Sequence, residues 1–269
     1  MISVTQRIAQ IKQPRGGYLP VAKFEVTQFK DNRYMRDIDS RKWAARVGLV
    51  VDYISRWLYC GVSKEKAFEI SLLGAQEAQK HYPNIPFMEN AMVYLSKITQ
   101  PLTDYDSIVA ALRLVGYDVF YRVPEIFDKP FESKEADAIP EDVVRNIHVM
   151  LLRSGEFFQY LVKQQNGVPL IPEYTFEGGY TDTVGAGDGD FASVDTLWDM
   201  KCIKGEITPK YTLQILMYYI MGLHSVHDFY KGIKYLGFYN PLLNKMYKVS
   251  VSEIDANTRA IVEKDIIGY

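Results

Sequence analysis

Gly187-Asp188-Gly189-Asp190-Phe191, followed shortly by Thr196-Leu197-Trp198-Asp199-Met200-Lys201, is the stretch that decides how this chain is read. Both pieces have strand composition, and the glycines before the first mark a tight connection. Side chains alternate along a strand, so Asp199 and Lys201 leave one face while Met200 leaves the other. Two acids on neighbouring strands, with a lysine beside the second, make a compact site for a hard divalent cation that keeps several waters. A lysine on the same face can hold one of those waters or take its proton.

The flanking sequence supplies the rest of a folding unit. Pro140-Glu141-Asp142 opens a helix to about Gln164, with acids in the first turn where the helix dipole favours them. Strand-like runs follow at 173–180, 183–191 and 196–201. Thr208-Pro209 marks the next helix start, since proline is tolerated at the first helical position. That helix reaches Gly222, and Gln214 and Tyr218, four apart, share one of its faces. A hairpin pairs 233–239 with 245–251 through Asn240-Pro241, and Ile254-Asp255 begins a last helix. The order is α-β-β-β-α-β-β-α.

The earlier half has a helical rhythm. Asp39-Ser40 is the expected N-cap of a helix through Trp57, with Val47, Val50, Val51, Ile54 and Leu58 as its apolar stripe. A second helix is expected from Ser63 to near Lys80, stopped by His81-Tyr82-Pro83, with shorter ones at 89–98 and 104–114. The segment 124–140, rich in Pro, Asp, Glu and Lys, is the expected boundary, which gives a mostly helical region at 1–135 and a second unit at 136–269. The fold class expected is mixed α/β of the α+β kind.

Composition narrows the function classes. With 269 residues, 48% apolar and 24% charged, the chain can bury a large core. A net charge of −2 gives no global attraction to nucleic acid, so such contact must come from a local basic patch. Lys204 and Lys210 flank the acids, and Lys12, Arg15, Arg41 and Lys42 are further candidates. Cys60 and Cys202 are far apart in apolar surroundings and read as free thiols of a reducing compartment. The first residues lack the apolar core of a secretion signal. The run 213–223 falls short of the roughly 20 residues a membrane span needs. A cytoplasmic protein without a membrane partner is expected.

These motifs, in this order, resemble the PD-(D/E)XK nuclease superfamily, in particular its RecB-type and lambda-exonuclease-like branch. Asp190 after a glycine matches the strand-borne metal-binding acid, Asp199-Met200-Lys201 matches the (D/E)xK element, and Gln214-x-x-x-Tyr218 matches the QxxxY helix. Residues 153–159 loosely match the first, helical motif, where Gln159 stands in the place of a frequent histidine. Glu156 is the first choice for that motif's metal ligand and Glu177 the second. The resemblance covers about 140–255, and the chain as a whole is similar to proteins of phages and bacterial mobile elements.

The resemblance implies a restriction-endonuclease-like αβββαβ core and a nuclease that cuts DNA with one or two Mg²⁺ or Mn²⁺ ions. Asp190, Asp199 and the Met200 backbone carbonyl would hold metal. Lys201 would handle the water, its pKa depressed among cations, and Gln214 and Tyr218 would brace the site. The alternative it leaves open is a catalytically degenerate member that binds nucleic acid or protein. The helical region would line a DNA channel, bind a protein partner or join copies of the chain into a homo-oligomer.

Each motif has a plainer reading. A second acid-x-lysine, Glu132-Ser133-Lys134, sits in the charged boundary segment, where a solvated surface is the better account. The glycines at 185, 187 and 189 open no helix, which removes a dinucleotide loop. His224 and His227 lack the further ligands of a zinc set and suit a helix C-terminus, and His148 suits a structural place on its helix. Most aromatics, Phe157, Phe158, Tyr218 and Tyr219 among them, fall at core spacing.

Overall fold

The computed structural model of the chain describes residues 2–38, 40–128 and 138–269. They fall into two units, Asp31–Phe158 and Met1–Lys30 with Gln159–Tyr269. This division differs from the boundary expected at 135. The first thirty residues contribute strands to the second unit, and most of the helix after 140 belongs to the first. The expected boundary itself, the Asp39 cap and the Glu132–Lys134 pair lie outside the described residues.

The opening residues form β1 (Ile2–Ser3), α1 (Val4–Gln10) and β2 (Glu25–Gln28). Ser3 and Gln6 make a reciprocal capping box that starts α1.

In the helical unit, α2 (Ser40–Tyr59) buries Val47, Val50, Val51 and Ile54 of the predicted stripe and leaves Leu58 half-buried. The single helix expected from Ser63 is two, α3 (Lys64–Ala67) and α4 (Glu69–His81). Phe68 interrupts them at φ −100° and ψ 16°, buried with its ring edge-on to Tyr53. Next come α5 (Phe87–Lys97), α6 (Tyr105–Leu114), capped by Asp104, and α7 (Asp118–Arg122). Asp118 is buried but satisfied, accepting from the hydroxyls of Tyr53 and Ser71 at 2.5 Å each, with Arg122 beside it. Helix α8 (Glu141–Gln164) follows. His148 bonds the Leu102 carbonyl at 2.7 Å, the structural place expected of it.

The second unit is built on a mixed sheet. Its elements are β3 (Ile171–Tyr174), β4 (Val184–Ala186), β5 (Gly189–Ala192), β6 (Thr196–Met200), α9 (Pro209–His224), β7 (Tyr235–Asn240), β8 (Lys245–Ser250) and α10 (Ala256–Ile261), which runs on as a π-helical turn at Val262–Ile267. The six-stranded order is β2-β8-β7-β6-β5-β3, and only the β6–β7 pairing is parallel. A parallel pair needs a crossover, and α9 supplies it. The hairpin expected around Asn240 is present, its turn closed by Asn240 Oδ1 accepting from the backbone of Leu242 at 3.0 Å and Leu243 at 3.3 Å. The run expected at 183–191 splits in two, because β4 leaves the sheet to pair in parallel with β1. The run expected at 173–180 is instead β3, which ends at Tyr174.

One sheet face packs on α9, where Leu197, Leu236 and Phe238 meet Leu213, Leu216 and Met217 in a single core. Helix α1 and the C-terminal turn pack on α9 as well. On the sheet, Phe191 stacks with Trp198, and Gly237 lies under the indole. Among the described residues no helix is long and apolar enough to cross a membrane.

A Cβ at Gly237 would stand 2.3 Å from Trp198 Cζ3. Gly237→Ala is therefore expected to lower stability to urea by about 1–3 kcal/mol, the usual range for overpacking. An unchanged unfolding midpoint would show that the indole does not occupy that place.

Candidate active site

Strands β5 and β6 place the two acids. Their register pairs Phe191 with Trp198 and Ala192 with Leu197, and one further step sets Asp190 across from Asp199. Ala192 and Leu197 belong to the core under α9, so alternation turns Asp190 and Asp199 to that same face. The arms are tied directly: the Met200 backbone N–H donates to Asp190 Oδ2 at 2.6 Å. Lys201 continues β6 by one residue, its N–H bonded to the Tyr239 carbonyl at 2.9 Å.

Asp199 is only 2% exposed. Lys201 Nζ lies 2.7 Å from its Oδ2, a close ion pair in which the ammonium faces the buried carboxylate. Burial pushes the Asp199 carboxyl well above its ordinary range; Lys201 opposes the shift and Asp190 adds to it. For Lys201, burial alone favours loss of the proton, yet Asp199 and Asp190 outweigh it and hold the ammonium above its usual range. This corrects the expectation of a lysine depressed among cations: its neighbours are carboxylates.

Helix α9 begins at Thr208-Pro209 as expected and brings Tyr218 within reach of the charges of Asp199 and Asp190. Gln214 Nε2 donates to the Tyr218 hydroxyl at 2.8 Å, so the two act as one braced pair. The Tyr218 ring stacks on Phe176 and meets Tyr174 edge-on. Burial and then Asp199 push the Tyr218 phenol well above its ordinary range, and the charges of Asp190 and Asp188 add to this.

Three residues of this neighbourhood were not singled out from sequence. Tyr174 is fully buried, with its phenol raised by burial and then by Asp199. Tyr211 places its ring 5.1 Å from Lys201 Nζ. Asp188 is close enough for its charge to reach Tyr218. A signal for Tyr211 was present, since it precedes Gln214 by three and extends the same helical stripe. Tyr174 has no such signal, because Glu173 before it adopts φ +46° and breaks the strand pattern.

The two candidates for a first-motif acid have other partners. Glu156 lies in the helical unit, ion-paired to Arg33, which also meets Asp31 at 3.1 Å. Glu177 accepts from Thr175 and pairs with His227, both at 2.5 Å, and Thr175 first and His227 second hold its carboxyl down at about 2. His224 contacts Glu263 in the same way, so each of the two histidines at the end of α9 meets a carboxylate. Among the described residues no group of three or more His, Cys, Asp or Glu could hold a metal ion.

A divalent cation still fits the donor set that is present. Mg²⁺ is commonly held by one or two carboxylates, with waters and substrate completing its shell. Asp190 and Asp199, two carboxylates turned to one sheet face with Asp199 buried, make up that donor set. Protein-family models, curated proteins and solved structures were compared with the chain, and none matches.

The glycine before Asp190 has a steric reason. A Cβ on Gly189 would fall 1.9 Å from the Tyr174 ring, its cross-strand neighbour. Gly189→Ala is expected to cost about 1–3 kcal/mol alone and distinctly less in a Tyr174→Leu background, read as a double-mutant cycle of chemical denaturation. Equal costs in both backgrounds would place the clash elsewhere.

Proposed function

We propose that this chain is a divalent-cation-dependent nuclease that hydrolyses DNA phosphodiesters, of the PD-(D/E)XK kind. The observation that carries this reading is the convergence of Asp190, Asp199 and Lys201 on one sheet face beneath the Gln214–Tyr218 pair. Asp190, Asp199 and the Met200 carbonyl would hold Mg²⁺ or Mn²⁺, as one or two ions. When bound, the ion would polarise the phosphate and lower the pKa of a water. Lys201, kept as an ammonium, would hold that water or a phosphate oxygen by hydrogen bonds. Gln214 and Tyr218 would keep the acid-bearing strands in place, and Lys204 and Lys210 would contact the phosphate backbone. Cys60 and Cys202, neither in a disulfide, suit a reducing, cytoplasmic setting.

One observation favours a second reading, a degenerate member that binds nucleic acid or a protein without cutting. No third acid is gathered among the described residues, and Glu156 and Glu177 are paired elsewhere.

The test is cleavage of linear, circular and single-stranded DNA, and of RNA, with Mg²⁺ or Mn²⁺. Asp199→Ala and Lys201→Ala are expected to lose at least about a hundredfold in rate, roughly what removing one group that stabilises transition-state charge costs. Variants that cut as fast as the wild type, with contaminating nuclease excluded, would overturn the proposal. DNA binding without cleavage at any metal concentration would favour the second reading.

A further inference from the structure

We infer that Tyr211 is a positioning residue that holds the Lys201 ammonium in its working place through its ring face. The inference rests on the proposed nuclease reading for its catalytic consequence and on geometry for the contact itself.

Lys201 Nζ lies 2.7 Å from Asp199 Oδ2 and 5.1 Å from the centroid of the Tyr211 ring. The lysine side chain is only 18% exposed, so the ring meets a largely dehydrated cation, where such contacts are strongest. Tyr211 stands in the first turn of α9, three residues before Gln214 and seven before Tyr218, so one helical stripe carries all three. Asp199 cannot serve a metal ion and Lys201 undiminished at once. When its carboxylate turns to a cation, the ammonium loses much of its nearest counter-charge. A cation beside a second cation would then move outward, and the Tyr211 ring is the contact that keeps it over the site. The ring does this without adding negative charge that would compete for the metal.

The hydroxyl has no part in this, which makes the proposal selective among substitutions. Tyr211→Phe and Tyr211→Trp keep a ring face; Tyr211→Leu removes it, and Tyr211→Met supplies a second ring-free variant should leucine disturb α9. In the cleavage assay the ring-free variants are expected to lose about tenfold in kcat with KM unchanged, the size of a desolvated cation–π contact. The phenylalanine and tryptophan variants are expected to stay within about twofold of wild type by the same principle.

A second readout needs no activity. Metal-free protein is treated with a water-soluble N-hydroxysuccinimide ester, and acylation of Lys201 is followed peptide by peptide by mass spectrometry. Lys201 is expected to react several-fold faster in the ring-free variants than in wild type or Tyr211→Phe. Ring-free variants that label and cut like wild type, or a phenylalanine variant that behaves like leucine, would overturn the inference. If the wild type cuts nothing, the nuclease reading fails, and labelling alone decides whether the ring holds the lysine.

Discussion

Two carboxylates facing each other under a helix are the constraint that the second unit is built around. Like charges about 4 Å apart repel by roughly 4 kcal/mol even at the moderate effective dielectric of a protein surface, and burial adds the cost of desolvation. The chain meets this locally. The Met200 N–H bonds Asp190, the Lys201 ammonium stands against Asp199, and burial shifts Asp199 toward its neutral form. The second acid, the amide that bonds the first and the lysine are three consecutive residues. A slip of β6 by one position would send Asp199 and Lys201 to the opposite face and undo all three arrangements.

The rest of the unit secures that register. Strand β6 is buried along its whole length, paired with β5 on one side and β7 on the other. Trp198 is wedged over Gly237 and against Phe191, so a shift of β6 would meet steric resistance on the side away from the acids. The parallel β6–β7 pairing requires a crossover, and the crossover helix is the element that carries Tyr211, Gln214 and Tyr218. Connectivity and chemistry therefore share one cause. Tyr174 closes the other side, lying across Gly189 and against the Tyr218 ring.

Much of this was legible in the chain because its signals are local. The proline at the start of α9, the asparagine that closes the last hairpin and the alternation around Asp199 each involve residues a few positions apart. The shared face of Asp199 and Lys201 and that of Gln214 and Tyr218 were readable on the same grounds, while their joint role as a site came from the resemblance. What escaped depends on distant pairing or on weak patterns. Strand β2 is exposed at all four positions, so no alternation announces it, and only pairing with β8 makes it a strand. Strands β1 and β4 have two and three residues and exist only as a pair. The break at Phe68 comes from burial against Tyr53, a tertiary demand that overrides helix propensity. The partners of Glu156 and Glu177 are Arg33 and His227, far away in sequence, so the chain alone left both acids open as metal ligands.

Asp190 and Asp199 are proposed to form together a seat for a divalent cation. Titration of metal-free protein with Mn²⁺, followed by the loss of the free-ion electron paramagnetic resonance signal, tests it without reference to any substrate. Wild-type protein is predicted to take up one or two ions that Mg²⁺ displaces, and Asp190→Asn and Asp199→Asn, each still folded by circular dichroism, are predicted to lose that uptake. Uptake that survives in both variants, or wild-type protein that takes up no Mn²⁺, would contradict the account.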